Sequence, residues 1–421
     1  MHMMDSSASV KYLFSNRAFV LFLISRFCNV IGVQILTVAV GWHVYQLTHD
    51  PLDLGYIGLA QFAPSFLLFI VAGYISDRYD RRATLVVSNL VHVGVAVALM
   101  GVLGHHWGGV NIVLILLVFH GSARTFYHTA SQAILPNIVD ARLFPMAVAY
   151  ASSVNKAAQL IGPAFGGALI AWAGDWTYHA MIFVFVVAAI SSGFIWIRAV
   201  GQSPGKFTLV ELLGGFSYVW ANKVVLGAIS IDLAAVLLGG VMGLLPIYAS
   251  DILKVGPEGL GLMRAMPGIG ALLTGLGLAQ IARPRYVGFA MFAALGTFGV
   301  SVIVFSLSEI FWLSLLALAV YGASDMISVY IRLTLVQIAT PDSMRGRVSA
   351  INSISINASN ELGDFRAGLM ASGLGVAAAV LFGGVATLAI AVSWVKIFPA
   401  LLKIDFFEEV APKGNLQSED H

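Results

Sequence analysis

The chain is 421 residues long, 59% hydrophobic and only 10% charged, where a soluble domain has about a quarter of its residues charged. So few charges cannot cover a surface facing water, and lipid must be the solvent for much of it. The net charge of +2 gives no field for nucleic acid, and the single cysteine, Cys28, excludes an internal disulfide and a CxxC metal site.

The first apolar run extends from near Arg17 to about Tyr45, too long for a signal peptide, and no small-residue cleavage site follows it. Runs of roughly 20 mainly apolar residues are long enough to span a bilayer. Twelve can be drawn, at about 18–46, 54–76, 83–104, 110–135, 145–173, 178–198, 225–250, 258–282, 286–307, 309–339, 348–373 and 376–400. Their separators carry turn residues, as in Thr48-His-Asp-Pro-Leu-Asp53 and Gly108-Gly109. The runs lack the alternation of a barrel strand, so the expected class is an all-α membrane protein. His105 and His106 have no carboxylate or thiol at ligand spacing, so neither a metal site nor a cofactor is expected.

Basic residues give the orientation. One set of loops and tails holds Lys11, Arg17, Arg78, Arg81, Arg82, Arg142, Arg198, Lys206, Lys223, Arg283, Arg285, Arg345, Arg347, Lys396, Lys403 and Lys413, and the opposite set holds Lys254. Both termini are therefore expected in the cytoplasm. The longest connection opens with Ser203-Pro-Gly-Lys206. Phe207, Val210, Leu213, Phe216 and Trp220 then recur at steps of three or four, the pattern of an amphipathic helix on the membrane surface. The expected organisation is a tail over 1–17, a six-helix half over 18–198, a cytoplasmic linker over 199–224, a second half over 225–400 and a tail over 401–421.

An internal repeat supports the halves. Gly121-Ser-Ala-Arg124 matches Gly322-Ala-Ser-Asp325, and Pro136-Asn and Pro341-Asp are read as opening the loops that follow. Ser153-Val-Asn155 then matches Ser355-Ile-Asn357, and Gln159-Leu160 matches Glu361-Leu362. Parallel six-span repeats are a known transporter plan.

The loop after the second run reads Gly73-Tyr-Ile-Ser-Asp77-Arg78-Tyr-Asp80-Arg81-Arg82. It resembles the signature loop of the major facilitator superfamily, with Asp80 where that family usually has glycine. Gly73 is expected to let helices approach closely. The resemblance makes Asp77 with Arg78, Arg81 and Arg82 a latch between states; a plain positive anchor is the other reading. Gly162-Pro163-Ala-Phe-Gly166-Gly167 resembles the family's antiporter motif, with Pro163 kinking the helix. Leu135-Pro136-Asn-Ile-Val139 and Pro341-Asp-Ser-Met-Arg345-Gly346-Arg347-Val348 are most similar to the bacterial branch that contains the enterobactin exporter and related drug-efflux proteins. The resemblance covers nearly the whole chain. It implies the major-facilitator fold, a bacterial inner membrane and no enzyme activity.

An ionisable group at the centre of a span costs about 2.5–3.5 kcal/mol on insertion scales, so each is a functional candidate. Those in the runs are Arg26, Arg124, Lys156, Asp232, Arg264, Asp325, Arg332, Glu361, Asp364 and Arg366. Arg124 and Asp325 occupy matching positions, as do Arg26 and Asp232, and each couple is expected to pair across the halves; Arg26 can instead snorkel to the surface. Glu361 and Asp364 share one helix face and Arg366 points elsewhere. Two carboxylates so close do not both ionise easily, the property needed for proton coupling. Glu361 and Asp364 are therefore the first proton-coupling candidates, with Asp232 and Asp325 beside them. Cavity candidates are Arg26, Asn29, Arg124, Tyr127, Asn357 and Arg366.

No G-x-x-x-x-G-K-[ST] loop occurs, which excludes a nucleotide-driven pump of that kind, and no nucleophile–base arrangement accompanies His120 and His128. The reading is a monomeric secondary transporter with protons and a small organic solute as partners: proton-coupled efflux of a siderophore or drug-like compound by alternating access. The alternative is an importer or facilitator of a small metabolite in the same fold.

Overall fold

Apolar segments in lipid must satisfy their own backbone hydrogen bonds, and these do so as helices. The computed structural model describes residues 6–104, 108–197, 209–281 and 284–410. His105, His106, Arg198, the stretch 203–207, Arg283 and Lys413 lie outside the described residues, as do the side chains of Asp77, Val210, Glu211 and Leu213. No strand occurs among the described residues.

The helices are α1 (Ser6–Ser15), α2 (Arg17–Thr48), α3 (Pro51–Arg78), α4 (Arg81–Leu99), α5 (Val110–Ile138), α6 (Phe144–Ala173), α7 (Trp176–Gly193), α8 (Leu209–Ala221), α9 (Lys223–Gly239), the single turn α10 (Leu245–Ile247), α11 (Gly256–Leu278), α12 (Val287–Leu307), α13 (Phe311–Ala339), α14 (Asp342–Leu374), α15 (Val376–Ile397) and the short α16 (Pro399–Leu402). Met100–Gly104 continues α4 as a π-helix. Among the described residues ten stretches are long and apolar enough to cross a membrane: α2, α3, α4, α5, α7, the run Lys223–Ile252, α11, α12, α13 and α15. The two remaining expected runs are α6 and α14, helices of 30 and 33 residues that fall short of that standard. The reason is their polarity. Mid-helix α6 carries Ser153, Asn155, Lys156 and Gln159, and α14 carries Asn357, Glu361, Asp364 and Arg366.

Helix boundaries repeat along the chain. Arg17 and Lys223 open α2 and α9, and Arg81 and Val287 open α4 and α12, each couple 206 positions apart. Helices α5 and α13 begin and end 201 positions apart. The difference is five residues, and five residues form the π segment Met100–Gly104 between α4 and α5. This register corrects one detail of the sequence repeat. Pro136 lies inside α5 and opens no loop, whereas Pro341 caps α14, so the two prolines are not equivalent.

The register also reveals a match that begins before the first span. Tyr12-Leu-Phe-Ser-Asn16-Arg17 aligns with Tyr218-Val-Trp-Ala-Asn222-Lys223, again 206 apart. Helices α1 and α8 thus hold matching places, and each ends just before an asparagine N-cap. The Asn16 side chain accepts from the N–H groups of Ala18 and Phe19, and Asn222 accepts from Val224 and Val225. Each asparagine also reaches the end of the fourth long helix. Asn16 Nδ2 donates to Ile138 O at 2.7 Å. Asn222 Nδ2 donates to the Tyr218 hydroxyl at 3.3 Å, which donates to Ala339 O at 2.7 Å.

Two units can be distinguished. One comprises Met1–His49, Ala60–Lys206 and Gly256–Ala265; the other comprises Asp50–Leu59, Phe207–Val255 and Met266–His421. In the first, α2 packs on α6 and α7, and α4 on α5 and α7. In the second, α12 packs on α13 and α15, and α9 on α14 and α15. Lipid gives no hydrophobic drive between helices, so close contact at small residues takes its place. A Cβ built on Gly167 would stand 2.8 Å from Gly261 Cα in the first unit. In the second, a Cβ on Gly368 would stand 2.7 Å from Gly55 Cα. These two contacts match in register as well. The close approach expected at Gly73 is absent: no described atom lies within 4 Å of a Cβ built there.

Asn222→Ala removes a cap and a link to α13 together. It should destabilise the purified protein by about 1–2 kcal/mol, seen as a lower melting temperature in detergent, with Asn16→Ala close behind. Unchanged melting in both would show that these ties carry no stability.

Candidate functional site

In the second unit, the run that begins with α9 is broken. Helix α9 stops at Gly239, a 3₁₀ turn follows at Met242–Leu244, and α10 leads into a π segment at Tyr248–Ile252. A break in lipid exposes backbone groups that need partners. Helix α14 supplies them. The Asp364 carboxylate accepts from the Gly243 N–H at 2.8 Å. The Arg366 guanidinium donates to the carbonyls of Leu237 and Gly240, both at 3.2 Å. Gly243 allows this approach, since a Cβ there would lie 3.0 Å from Asp364. Arg366 was expected to point away from the carboxylates, yet it grips the same break as Asp364 because its long side chain reaches around α14. Glu361 lies one turn before Asp364 and is half-buried, and its carbonyl oxygen would stand 2.8 Å from a Cβ on Gly58. Asn357, a further turn back, is exposed.

Asp232 on α9 forms an ion pair with Arg332 on α13. The guanidinium is 1% exposed and the carboxylate 7%, so the charges are compensated within the protein. The partner is thus Arg332 of the same unit, where Arg26 had been expected. Burying both charges is costly, and removing either one leaves the other uncompensated. A cavity beside the pair is lined by Asp232, Phe298, Ser324, Asp325 and Ser328. Asp325 is half-buried. The Tyr321 ring lies tilted against Phe298 with ring centres 4.3 Å apart.

In the first unit, Arg26 on α2 lies within 3.4 Å of the Ser131 hydroxyl on α5 and 5.9 Å from the centre of the Phe22 ring. Its Nε is buried without a hydrogen-bond partner. Tyr127 packs in an apolar cluster with Phe22, Leu85 and Ile134. Arg124, one turn from Tyr127 and His128, is exposed. Asn29 is buried in a polar network that sequence reasoning missed. Its amide donates to Asn89 Oδ1 at 2.8 Å and lies 3.3 Å from His92 Nδ1. Asn89 donates to the Ser192 hydroxyl at 3.3 Å, and Ser192 and Ser25 share a hydrogen bond of 2.6 Å. The His92 ring lies tilted beside His120, with ring centres 4.8 Å apart. The network joins α2, α4 and α7, so Asn29 serves the interior of the bundle. Its signal in the sequence was Asn89 and His92 one turn apart in an apolar run.

The signature loop is partly explained by local bonding. Asp80 is the N-cap of α4 and accepts from the Arg82 N–H at 2.8 Å. Arg81 donates to Ser76 O at 3.1 Å, at the end of α3. Arg78 stacks on Tyr74, with 5.7 Å between the guanidinium and the ring centre. The Gly-Pro motif is a packing surface. A Cβ on Gly162 would stand 2.6 Å from Gln34 Cβ, one on Gly166 3.1 Å from Ile35 Cα, and Pro163 is buried between them.

Comparison with known proteins agrees with this architecture. The family model MFS_3, described as transmembrane secretion effector, matches residues 9–413. The enterobactin exporter EntS of Shigella boydii serotype 18 is 25% identical over 376 residues, 87% of each chain. The EntS of Escherichia coli O81 is 24% identical over 374 residues, also 87% of each. Among solved structures, a bacterial homologue of the lysosomal transporter Spinster, in an inward-facing and occupied conformation, has a TM-score of 0.69 at 13% identity, covering 92% of this chain and 96% of its own. The nucleoside transporter NupG, as its D323A mutant, has a TM-score of 0.71 at 11% identity, covering 90% and 100%. The fold and family are those of membrane transporters and not of enzymes, and the chain belongs to the transmembrane secretion effector family of the major facilitator superfamily.

Proposed function

We propose that this transporter exports an amphipathic organic solute, a siderophore or drug-like compound, across the bacterial inner membrane in exchange for protons. The observation that carries the export reading is the likeness to enterobactin exporters along 87% of both chains. Twelve spans, with α6 and α14 among them, put both termini in the cytoplasm, in agreement with the distribution of basic residues. The monomer works by alternating access, as repeat-built transporters do.

The coupling role falls to α14. Discontinuous helices hold substrate and ion sites in many transporters, and α9 is discontinuous where α14 meets it. Asp364 already accepts a backbone N–H there. Glu361, one turn away and half-buried, is the first candidate for proton coupling because it shares a helix face with Asp364. Asp232 follows as a second proton group, since protonating it would release Arg332.

Two experiments test this. In energised everted vesicles, adding the substrate of a proton antiporter should make the acid lumen more alkaline. Glu361→Gln should abolish that response while leaving binding in place; coupled transport that survives the substitution assigns the proton elsewhere. A lumen that stays acid, with solute moving down its own gradient, would favour the facilitator reading. Asp232→Asn should cost about 3–5 kcal/mol of stability, because it leaves the Arg332 charge buried alone. Asp232→Asn combined with Arg332→Met should recover most of that loss, and a double variant no more stable than the single one would discount the pair.

A further inference from the structure

The matching register of the two repeats allows each charge inside a span to be compared with its counterpart. Arg26 corresponds to Asp232, 206 positions on, and Ser131 corresponds to Arg332, 201 positions on. Both positions are in contact in each repeat: Arg26 with Ser131 and Asp232 with Arg332. The second contact is a neutral ion pair. The first is a guanidinium against a hydroxyl and keeps its full positive charge. Arg26 is nine residues into α2, about 13 Å along the helix axis.

Among the described residues no carboxylate pairs with it. Between their end turns, α2, α4, α5, α6 and α7 contain no Asp or Glu, and α3 carries Asp53 and Asp77 only at its ends. Arg26 forms no ion pair among the described residues, and its Nε has no hydrogen-bond partner. The side chains nearest it, the Ser131 hydroxyl, the Phe22 ring and Tyr127, carry no carboxylate. Arg26 is half-buried, and a guanidinium held inside a span without a counter-charge is costly enough to be a functional candidate.

We propose that Arg26, with the Ser131 hydroxyl beside it, binds an anionic group of the ligand, which makes the transported solute an organic anion. This assignment rests on the transporter reading above. The planar guanidinium offers Nε and a terminal nitrogen side by side, the fork that suits a carboxylate or a similar two-oxygen group. A lipid phosphate has the same chemistry, so the test must separate the two sources.

The test uses the purified full chain in detergent, with benzoate as the anionic probe and benzamide as its neutral match. Benzoate should raise the melting temperature of the wild type and benzamide should not. Arg26→Gln should weaken the benzoate effect by at least about tenfold, as expected for a charge-assisted bond, and Arg26→Lys should retain part of it. Ser131→Asp is the sharper variant, because it installs in the first repeat the counter-charge that the second already has. It should raise the melting temperature without ligand and abolish the benzoate response. Equal effects of benzoate and benzamide, or a benzoate effect that persists in Arg26→Gln and Ser131→Asp, overturn the proposal. Phosphatidylglycerol that stabilises the wild type but not Arg26→Gln, and blocks the benzoate effect, assigns the site to lipid and overturns the solute reading. Solute efflux from vesicles separates the two levels. Efflux that continues unchanged in Ser131→Asp sinks the anion site and leaves export standing, whereas a benzoate response without efflux of any solute leaves the site and removes the exporter.

Discussion

Hydrocarbon supplies no hydrogen-bond partner and no counter-ion, and nearly every feature of this chain answers that constraint. Backbone groups are closed into long helices. Where a helix starts, Asn16 or Asn222 supplies acceptors. Where α9 breaks, Asp364 and Arg366 hold the exposed N–H and carbonyls. Where polar side chains enter the interior of the first unit, they bond to each other from Asn29 through Asn89 to Ser192. Helix contact also changes character, because apolar faces gain nothing by leaving lipid for each other. Glycine pairs such as Gly167 with Gly261 then let backbones approach and gain dispersion instead.

The same constraint makes the differences between the repeats informative. Where the second repeat sets Phe298 against Tyr321, the first places His92 near His120 at the same register. Carboxylates inside the spans occur only in the second repeat, at Asp232, Asp325, Glu361 and Asp364. The first carries Arg26, Arg124 and Lys156. A repeat that had to fold and do nothing else would have no reason to keep charges of one sign. On the proposed reading the division separates two tasks, with protons met by one repeat and an anionic cargo by the other.

Much of this was legible in the sequence, for reasons that can be named. Hydropathy located the spans because lipid imposes a length. The repeat was visible in Gly121 and Gly322, which face Gln61 and Pro267 at matching positions. Other features were harder to see. Pro136 and Pro341 look alike in sequence yet sit inside and outside a helix, so a shared residue misled the alignment by four places. The match of Tyr12 to Arg17 with Tyr218 to Lys223 was available but lay outside the apolar runs, where hydropathy does not direct attention. Arg332 was recognised as a buried charge, but its partner depends on α9 and α13 packing together, a contact no local pattern encodes. The Arg366 grip on α9 was hidden for the same reason, since helical phase fixes where a Cβ points and not where a long side chain ends.

Position 80 shows how a departure from a family pattern can be read. Glycine is common there because the chain must turn sharply between two helices. Asp80 makes the turn with an extended backbone and a side chain that accepts from the Arg82 N–H, so it caps α4 where glycine would leave the N–H to water. The carboxylate also lies 4.0 Å from the Arg82 guanidinium, on an exposed surface where such a pair contributes little. The substitution therefore acts on the helix start more than on the charge of the loop. Arg78 and Arg81 keep their own local partners, Tyr74 and Ser76, without help from Asp80. A loop built this way holds its basic residues in fixed positions, which any latch made from them requires.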